Sequence, residues 1–360
     1  LKTVIHPSGP VASAILALAE RKPVTGPDFL HAFILGVEAE CRIGNAVYPS
    51  HYDVGWHITA TAGVFGAAAA AGRLLGLSEQ QMVWALGIAA TQSSGLREMF
   101  GTMVKPMHPG NAARNGLLAA LLASKNFTSA EQGIEGRRGF ANVLATQRNF
   151  AEITEKLGET WEIALNTYKP YACGIVEHPA IDGCVQLRNE HKLKPEDIES
   201  VALKVHPLVL ELTGKKTPQT GLEGKFSVYH SSAVAIVHGA AGEEQYSDAV
   251  VRDARIMSLR DRVTASVDRA MHEDQVHISI RLRNGSTLEK YVEHCVGSLG
   301  KPMSDADLEA KFRGLAEGIL AKSESDKLIG LCWEVGKLKD AAETARASVP
   351  AAKPAKRVAR

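Results

Sequence analysis

The sequence predicts a mainly α fold, a large all-α helical domain with a smaller α+β domain, and three observations carry that expectation. From about residue 10 to 147, apolar residues recur at three- and four-residue spacing, the period of a helix with one buried face. After about residue 165 the texture changes to period-two alternation rich in β-branched residues. A chain of 360 residues that is 45% hydrophobic and 22% charged is long enough for two such cores. The expected boundaries are a helical domain at 1–167, an α+β domain at 168–300, helices returning to the helical domain at 301–340, and a disordered Ala/Pro/basic tail at 341–360.

The elements follow in order. "GPVASAILALAERK" and "GPDFLHAFILGVEAECRIGNAV" are amphipathic helices, and "WHITATAGVFGAAAAAGRLLG" is an alanine-rich helix ending on Gly76, suited to the left-handed residue that closes a helix. "SEQQMVWALGIAATQSSG" opens on a capping box, Ser78 with Gln81, and "TSAEQGIEG" offers a second, Thr128 with Glu131. "PGNAARNGLLAALLASKNF" reads as a helix with Pro109 in its first turn. In the second half "IESVALKVHPLVLEL" and "RVTASVDRAMHEDQVHISIRLRNGSTLEKYVEH" hold strands, with "RNGST" as a hairpin turn, and "FSVYHSSAVAIVHGAAG" is helical. A helix "DADLEAKFRGLAEGIL" is capped near Ser304 or Asp305.

Composition narrows the function classes. Forty-one Lys+Arg against forty Asp+Glu give a net charge of +1, so no global field recruits nucleic acid or an anionic membrane. The longest apolar run is interrupted by Arg73, short of the ~20 residues of a membrane span. Five scattered cysteines without a CxxC pair argue against a disulfide framework or a zinc cage and fit a reducing, cytoplasmic compartment. Metal motifs, a phosphate-binding P-loop, a dinucleotide fingerprint and a nucleophile elbow are all missing, so acid/base chemistry without metal or cofactor is expected.

Four islands combine titratable residues with Gly or Pro: "HPSGP" with His6, "YDVGWHITATAG" with His57, Thr59 and Thr61, "REMFGTMVKPMHPGNAARNG" with Lys105 and His108, and "YKPYACGIVEHPAID" with Lys169, Tyr171, Cys173, His178 and Asp182. Taken singly, each histidine reads more readily as a satisfied core residue than as a catalyst. Together, histidines, lysines and a helix start with few acids suit a polyanionic substrate: amides at Gly110, Asn111 and Ala112 would cradle a carboxylate, Lys105 would supply the countercharge, and a histidine would move a proton.

The same stretches, with "FTSAEQGIEGRRGF" and "KFSVYHSSAVAIVHG", resemble in order the signatures of the MmgE/PrpD family, from His6 to about residue 320. The resemblance implies a helical domain with an α+β lid, a homodimer, a metal-independent site between the domains, and a small polycarboxylate substrate. It places the proton-moving histidine on His6 or His57 and the carboxylate-binding lysines on Lys105 and Lys169, with His108, Asn111 and Tyr229 orienting the substrate. The activity it implies is a lyase, with a hydro-lyase of the 2-methylcitrate dehydratase type expected first. Epimerisation of an amino- or imino-dicarboxylate, decarboxylation of the cis-aconitate type, and a silent binding subunit are the alternatives. Two departures stand out. The chain starts at Leu1, without the segment and aspartate that family members carry ahead of "HPSG", so truncation, completion by a second polypeptide or degeneracy is expected. Where decarboxylase-type members place a histidine five residues after the second lysine, this chain has Gly174, which points away from decarboxylation.

Overall fold

The computed structural model describes residues 3–351. The chain divides into two compact units: a helical one running through Met99, over Val104–Asn166 and again from Ala316, and an α+β one made of Phe100–Met103 and Thr167–Leu315. The chain thus re-enters the helical unit at Ala316 rather than at residue 301.

In the helical unit the principal helices are α1 (Ser8–Ala19), α2 (Gly26–Val47), α3 (Ser50–Asp53), α4 (Ile58–Leu75), α5 (Glu79–Ala90) and α6 (Val104–Ala123), followed by the short α7 (Phe140–Leu144) and α8 (Ala151–Thr154). Their starts and stops follow the sequence signals. Thr25 caps α2 by accepting from the Asp28 N–H, Gly76 closes α4 at φ 68°, and both halves of the Ser78–Gln81 capping box form. The Thr128–Glu131 box forms no helix. That segment turns instead, and beside Thr128 the Ser129 hydroxyl donates to the Trp84 carbonyl at 3.1 Å.

α4 is the axis of this unit. It is long and apolar enough to cross a membrane by length and composition, yet most of it is buried against α1, α2, α5 and α6. Small residues let the helices approach backbone to backbone: a Cβ on Gly36 of α2 would lie 2.7 Å from the Gly66 carbonyl oxygen of α4, and one on Gly66 the same distance from that of Gly36. α2 also carries charge inward. Glu38 accepts from Arg42 Nε at 2.6 Å and from the Glu162 amide at 2.8 Å, and the rest of the guanidinium gathers carbonyls between Glu152 and Thr160. Glu40, fully buried between them in sequence, has neither carboxyl oxygen hydrogen-bonded, and burial holds its pKa well above the usual carboxylate range.

The α+β unit contains α9 (His178–His191), β1 (Ile198–Val205), α10 (Pro207–Thr213), α11 (Gly221–Gly224), α12 (Val228–His238), α13 (Asp248–Val251), α14 (Ala254–Arg260), β2 (Val263–Val267), β3 (Val276–Leu282), β4 (Thr287–Val292) and α15 (Asp305–Ala316). Its sheet has the order β2-β1-β3-β4, with β1 parallel to β2 and antiparallel to β3, and β3 antiparallel to β4 across the expected hairpin. Alternation puts Val201, Leu203 and Val205 of β1 and Val276, Ile278 and Ile280 of β3 into the core, where α9 packs on β3 and β4.

The helical unit is completed by α16 (Lys322–Trp333) and α17 (Ala342–Ala347). Backbone bonds tie this return to the start of α2: Gly26 N–H to Leu338 O and Ala341 N–H to Val24 O, both 2.8 Å. The expected tail is therefore corrected in its first part. Ala341 and Ala342 are buried and 342–347 are helical, because this segment closes the helical core, while 352–360 lie outside the described residues.

Candidate active site

Most of the residues singled out from sequence fall in the helical unit, around the start of α4 and the first turns of α6. His57 is the residue before α4, in an extended conformation, and its N–H donates to the Gly95 carbonyl at 2.9 Å. Its ring is 2% exposed, and its Nδ1 lies 2.9 Å from Nδ1 of His108, itself 5% exposed; the ring centroids are 5.1 Å apart. Gly95 lies beside both residues. Besides taking the His57 N–H it sits at φ 130°, and a Cβ there would lie 2.7 Å from Ala60 Cβ, so the backbone angle and the Ala60 contact require glycine, with the His108 ring in ordinary contact at 3.4 Å.

Two residues beyond His57, the buried Thr59 holds His6: the hydroxyl oxygen lies 2.9 Å from His6 Nδ1 and 3.2 Å from its backbone N, from which it accepts. Lys105 precedes His108 by three residues on α6 and so shares its face. Burial, and then the Lys105 charge, lower the His108 pKa below the ordinary histidine value, which keeps His108 neutral near pH 7. Asn111, three residues after His108, is half-buried on that same side. His6, His57, Thr59, Lys105 and His108 are therefore brought together around one helix start and one helix turn.

The expected amide cradle is corrected. α6 begins at Val104, so Gly110, Asn111 and Ala112 lie inside the helix, where their N–H groups belong to the intrahelical ladder. Gly110 is exposed on the opposite side of α6 from His108, with nothing within 4 Å of where its Cβ would be. Pro109 is an interior proline rather than a first-turn one.

A second histidine near this cluster is structural. His51 Nδ1 donates to the Leu144 carbonyl at 2.8 Å, so its Nε2 must accept, at 2.7 Å, from the Thr61 hydroxyl. Both nitrogens are used, and burial lowers its pKa to about 4.

Lys169 and Tyr229 belong to the α+β unit. The Lys169 ammonium donates to the Cys173 carbonyl at 3.2 Å. Tyr229, one residue into α12, is buried with its hydroxyl pKa raised by burial, and Lys216 Nζ lies 5.9 Å from its ring centroid. Sequence reasoning passed over Glu177 in the same island. It is fully buried, accepts from the Ser231 hydroxyl, which is also 2.8 Å from the Tyr246 hydroxyl, and burial drives its pKa well up. The available signal was its place as the one acid after the apolar pair Ile175 and Val176. His178 packs edge-on to Tyr171, with centroids 5.3 Å apart, and burial and the Lys169 charge lower its pKa to about 3. No group of three His, Cys, Asp or Glu residues poised to hold a metal occurs among the described residues.

Comparison with known proteins agrees with these signatures. Residues 1–153 match the MmgE/PrpD N-terminal domain and residues 171–335 the MmgE/PrpD C-terminal domain. Cis-aconitate decarboxylase of Aspergillus terreus is 29% identical over 94% of this chain and 74% of its own length. The human cis-aconitate decarboxylase is 26% identical over 93% and 72% respectively, and a cis-aconitate decarboxylase-like protein of Aspergillus oryzae 27% over 88% and 71%. With both domains matched and the histidine and lysine motifs in their expected order, the chain belongs to the MmgE/PrpD family, whose activity is of the lyase type.

Proposed function

We propose that this chain is a decarboxylating lyase acting on a small unsaturated tricarboxylate of the cis-aconitate class. The observation that carries the reading is the pair of buried, hydrogen-bonded imidazoles of His57 and His108 beside the Lys105 ammonium, with His6 held by Thr59 close by in sequence to His57. The relatives, cis-aconitate decarboxylases from fungi and mammals, support the substrate class and the decarboxylating subtype. Loss of a carboxylate as carbon dioxide breaks a carbon–carbon bond and leaves its electron pair in the adjacent conjugated system. Negative charge then develops on a neighbouring carboxylate, where the Lys105 cation stabilises it most at the transition state. A proton delivered by His6 or His57 takes up the pair as a new carbon–hydrogen bond, so residues of this chain supply both charge stabilisation and the proton. Thr59, His108 and Asn111 orient the groups in the helical unit, and Lys169 and Tyr229 are the carboxylate-binding residues that the α+β unit carries. A cytoplasmic homodimer belongs to the same reading.

Dehydration of a 2-hydroxy tricarboxylate is the second reading, and Gly174 favours it. A Cβ at Gly174 would lie 2.8 Å from Thr213 Cγ2 and 3.2 Å from Glu177 Oε1, so the place that holds a histidine in decarboxylase-type members admits no such side chain here. The test is proton NMR in heavy water with cis-aconitate, 2-methylcitrate and citrate, with Lys105→Ala as control. Decarboxylation gives a product one carbon shorter carrying one deuteron from solvent, whereas dehydration gives a new vinyl resonance with all carbons retained. Turnover of neither kind, with a folded protein, overturns the proposal.

A further inference from the structure

The contact between the two Nδ1 atoms of His57 and His108 constrains the protons more than either residue alone. A neutral imidazole carries one N–H, so two Nδ1 atoms at 2.9 Å make a hydrogen bond only if one is protonated and the other is not. The donor then has its lone pair at Nε2 and acts there as a base, and the acceptor has its proton at Nε2. The pair is forced into unlike tautomers, and the remaining question is which histidine donates.

We propose that His57 donates, so that His108 is a positioning residue that acts on the reaction through His57 by fixing its tautomer and supporting its charge. This rests on the reading above that His57 moves a proton. With Nδ1–H pointing at His108, Nε2 of His57 is the basic atom. When Nε2 is protonated, the charged ring donates through Nδ1 to a neutral acceptor, a charge-assisted hydrogen bond of roughly twice the strength of the neutral one. His108 fits the acceptor role because burial and Lys105 disfavour a charge on it, whereas the reverse arrangement would place the cation beside the Lys105 ammonium. Gly95 supports the geometry independently, since its carbonyl accepts the His57 N–H at 2.9 Å and fixes the backbone of that residue. Lys105 acts on His108 through its charge, and Thr59, two residues past His57, holds His6. Arg97, two residues past Gly95, stacks on the Tyr52 ring at 3.9 Å and donates to the Tyr52 carbonyl.

The experiment is nitrogen-15 NMR of the full chain labelled at histidine, without substrate, with the two rings assigned from the signals lost in His57→Asn and His108→Asn. The expected result is a neutral pair with His57 protonated at Nδ1 and His108 at Nε2. Both rings protonated at Nε2, or the reverse assignment, overturns the proposal, and does so whether or not any substrate is turned over. Kinetics supply the second arm. His108→Asn, whose amide oxygen can accept where Nδ1 did, retains kcat within about tenfold, while His108→Phe, which keeps a ring but no acceptor, lowers kcat on the order of 10²-fold with KM nearly unchanged. Delivering the proton requires the charged ring, so the basic limb of the kcat/KM profile moves to lower pH in the Phe variant, because the protonated His57 has lost its acceptor. Equal losses in the two variants, or an unmoved basic limb, refute the positioning role. The expected tautomers in a chain inert toward all three carboxylates would refute the functional reading alone.

Discussion

Replacing Glu40 by Gln should change how the stability of the helical unit depends on pH. Glu40 is fully buried on α2 without a hydrogen-bond partner for either oxygen, and burial raises its pKa well above the ordinary value. In the folded unit the carboxyl stays protonated where the unfolded chain has already ionised it, from about pH 4.3 upward. The unfolded state then binds fewer protons than the native state, so the stability Glu40 leaves intact at low pH is lost as pH rises toward its folded-state pKa. One proton of difference amounts to about 1.4 kcal/mol per pH unit. For a unit of about 200 residues, in which 1 kcal/mol corresponds to roughly 2–4 °C, that is a widening of about 3–6 °C per pH unit between wild type and variant. The assay is thermal denaturation of both proteins from pH 5 to pH 8. Glu40→Gln introduces a buried amide whose cost is constant with pH, so the diagnostic is the slope and not the offset. Parallel melting curves across that range would show that Glu40 does not stay protonated in the fold, and would refute the reasoning.

Four further outcomes are expected. Lys105→Ala should lower kcat/KM on cis-aconitate on the order of 10²-fold or more, measured by product formation, because the charge that stabilises the developing carbanion is gone. Gly95→Ala should destabilise the helical unit by about 1–3 kcal/mol in chemical denaturation and reduce turnover, since φ 130° is strained for alanine and the new methyl meets Ala60 beside the carbonyl that holds the His57 backbone. His51 should make the wild type acid-sensitive. Its folded pKa of about 4 lies below the unfolded value, so stability is complete above about pH 6.5 and falls as the unfolded state takes up protons between there and pH 4, a loss that His51→Gln should reduce in a pH series of melts. Ser231→Ala should cost about 1–3 kcal/mol in chemical denaturation by removing the donor from the buried Glu177 carboxyl.

Periodicity made the architecture legible. The alanine- and glycine-rich stretches became α1, α2 and α4, and the alternating ones became β1, β3 and β4, because burial of one face dominates both patterns. Local punctuation was a poorer guide where it competed with packing. Pro109 looked like a first-turn proline, but α6 is packed along its length on α4, and that contact sustains a helix begun one turn and a half earlier despite the bond a proline cannot make. His6 and His57 were legible from motif, whereas the pairing of His57 with His108 was not, since the two are 51 residues apart and no period links them. Glu40 was hidden for a related reason. In "GVEAECR" its neighbours Glu38 and Arg42 form an i, i+4 ion pair, and sequence offers no sign that the acid between them is the one left unpaired.

The closure of the helical unit by the segment after Ala316 has a consequence for the order of events on the ribosome. α1 to α8 emerge before the α+β unit, but the backbone bonds that seal the start of α2, from Gly26 to Leu338 and from Ala341 to Val24, need residues made after it. Between Asn166 and Ala316 lie about 150 residues, on the order of ten seconds of synthesis or more at ~5–20 residues per second. During that interval the α+β unit, contiguous but for Phe100–Met103, has nearly all of its chain available, while the start of α2 waits without these bonds. The part of the helical unit made before the α+β unit is closed only after it.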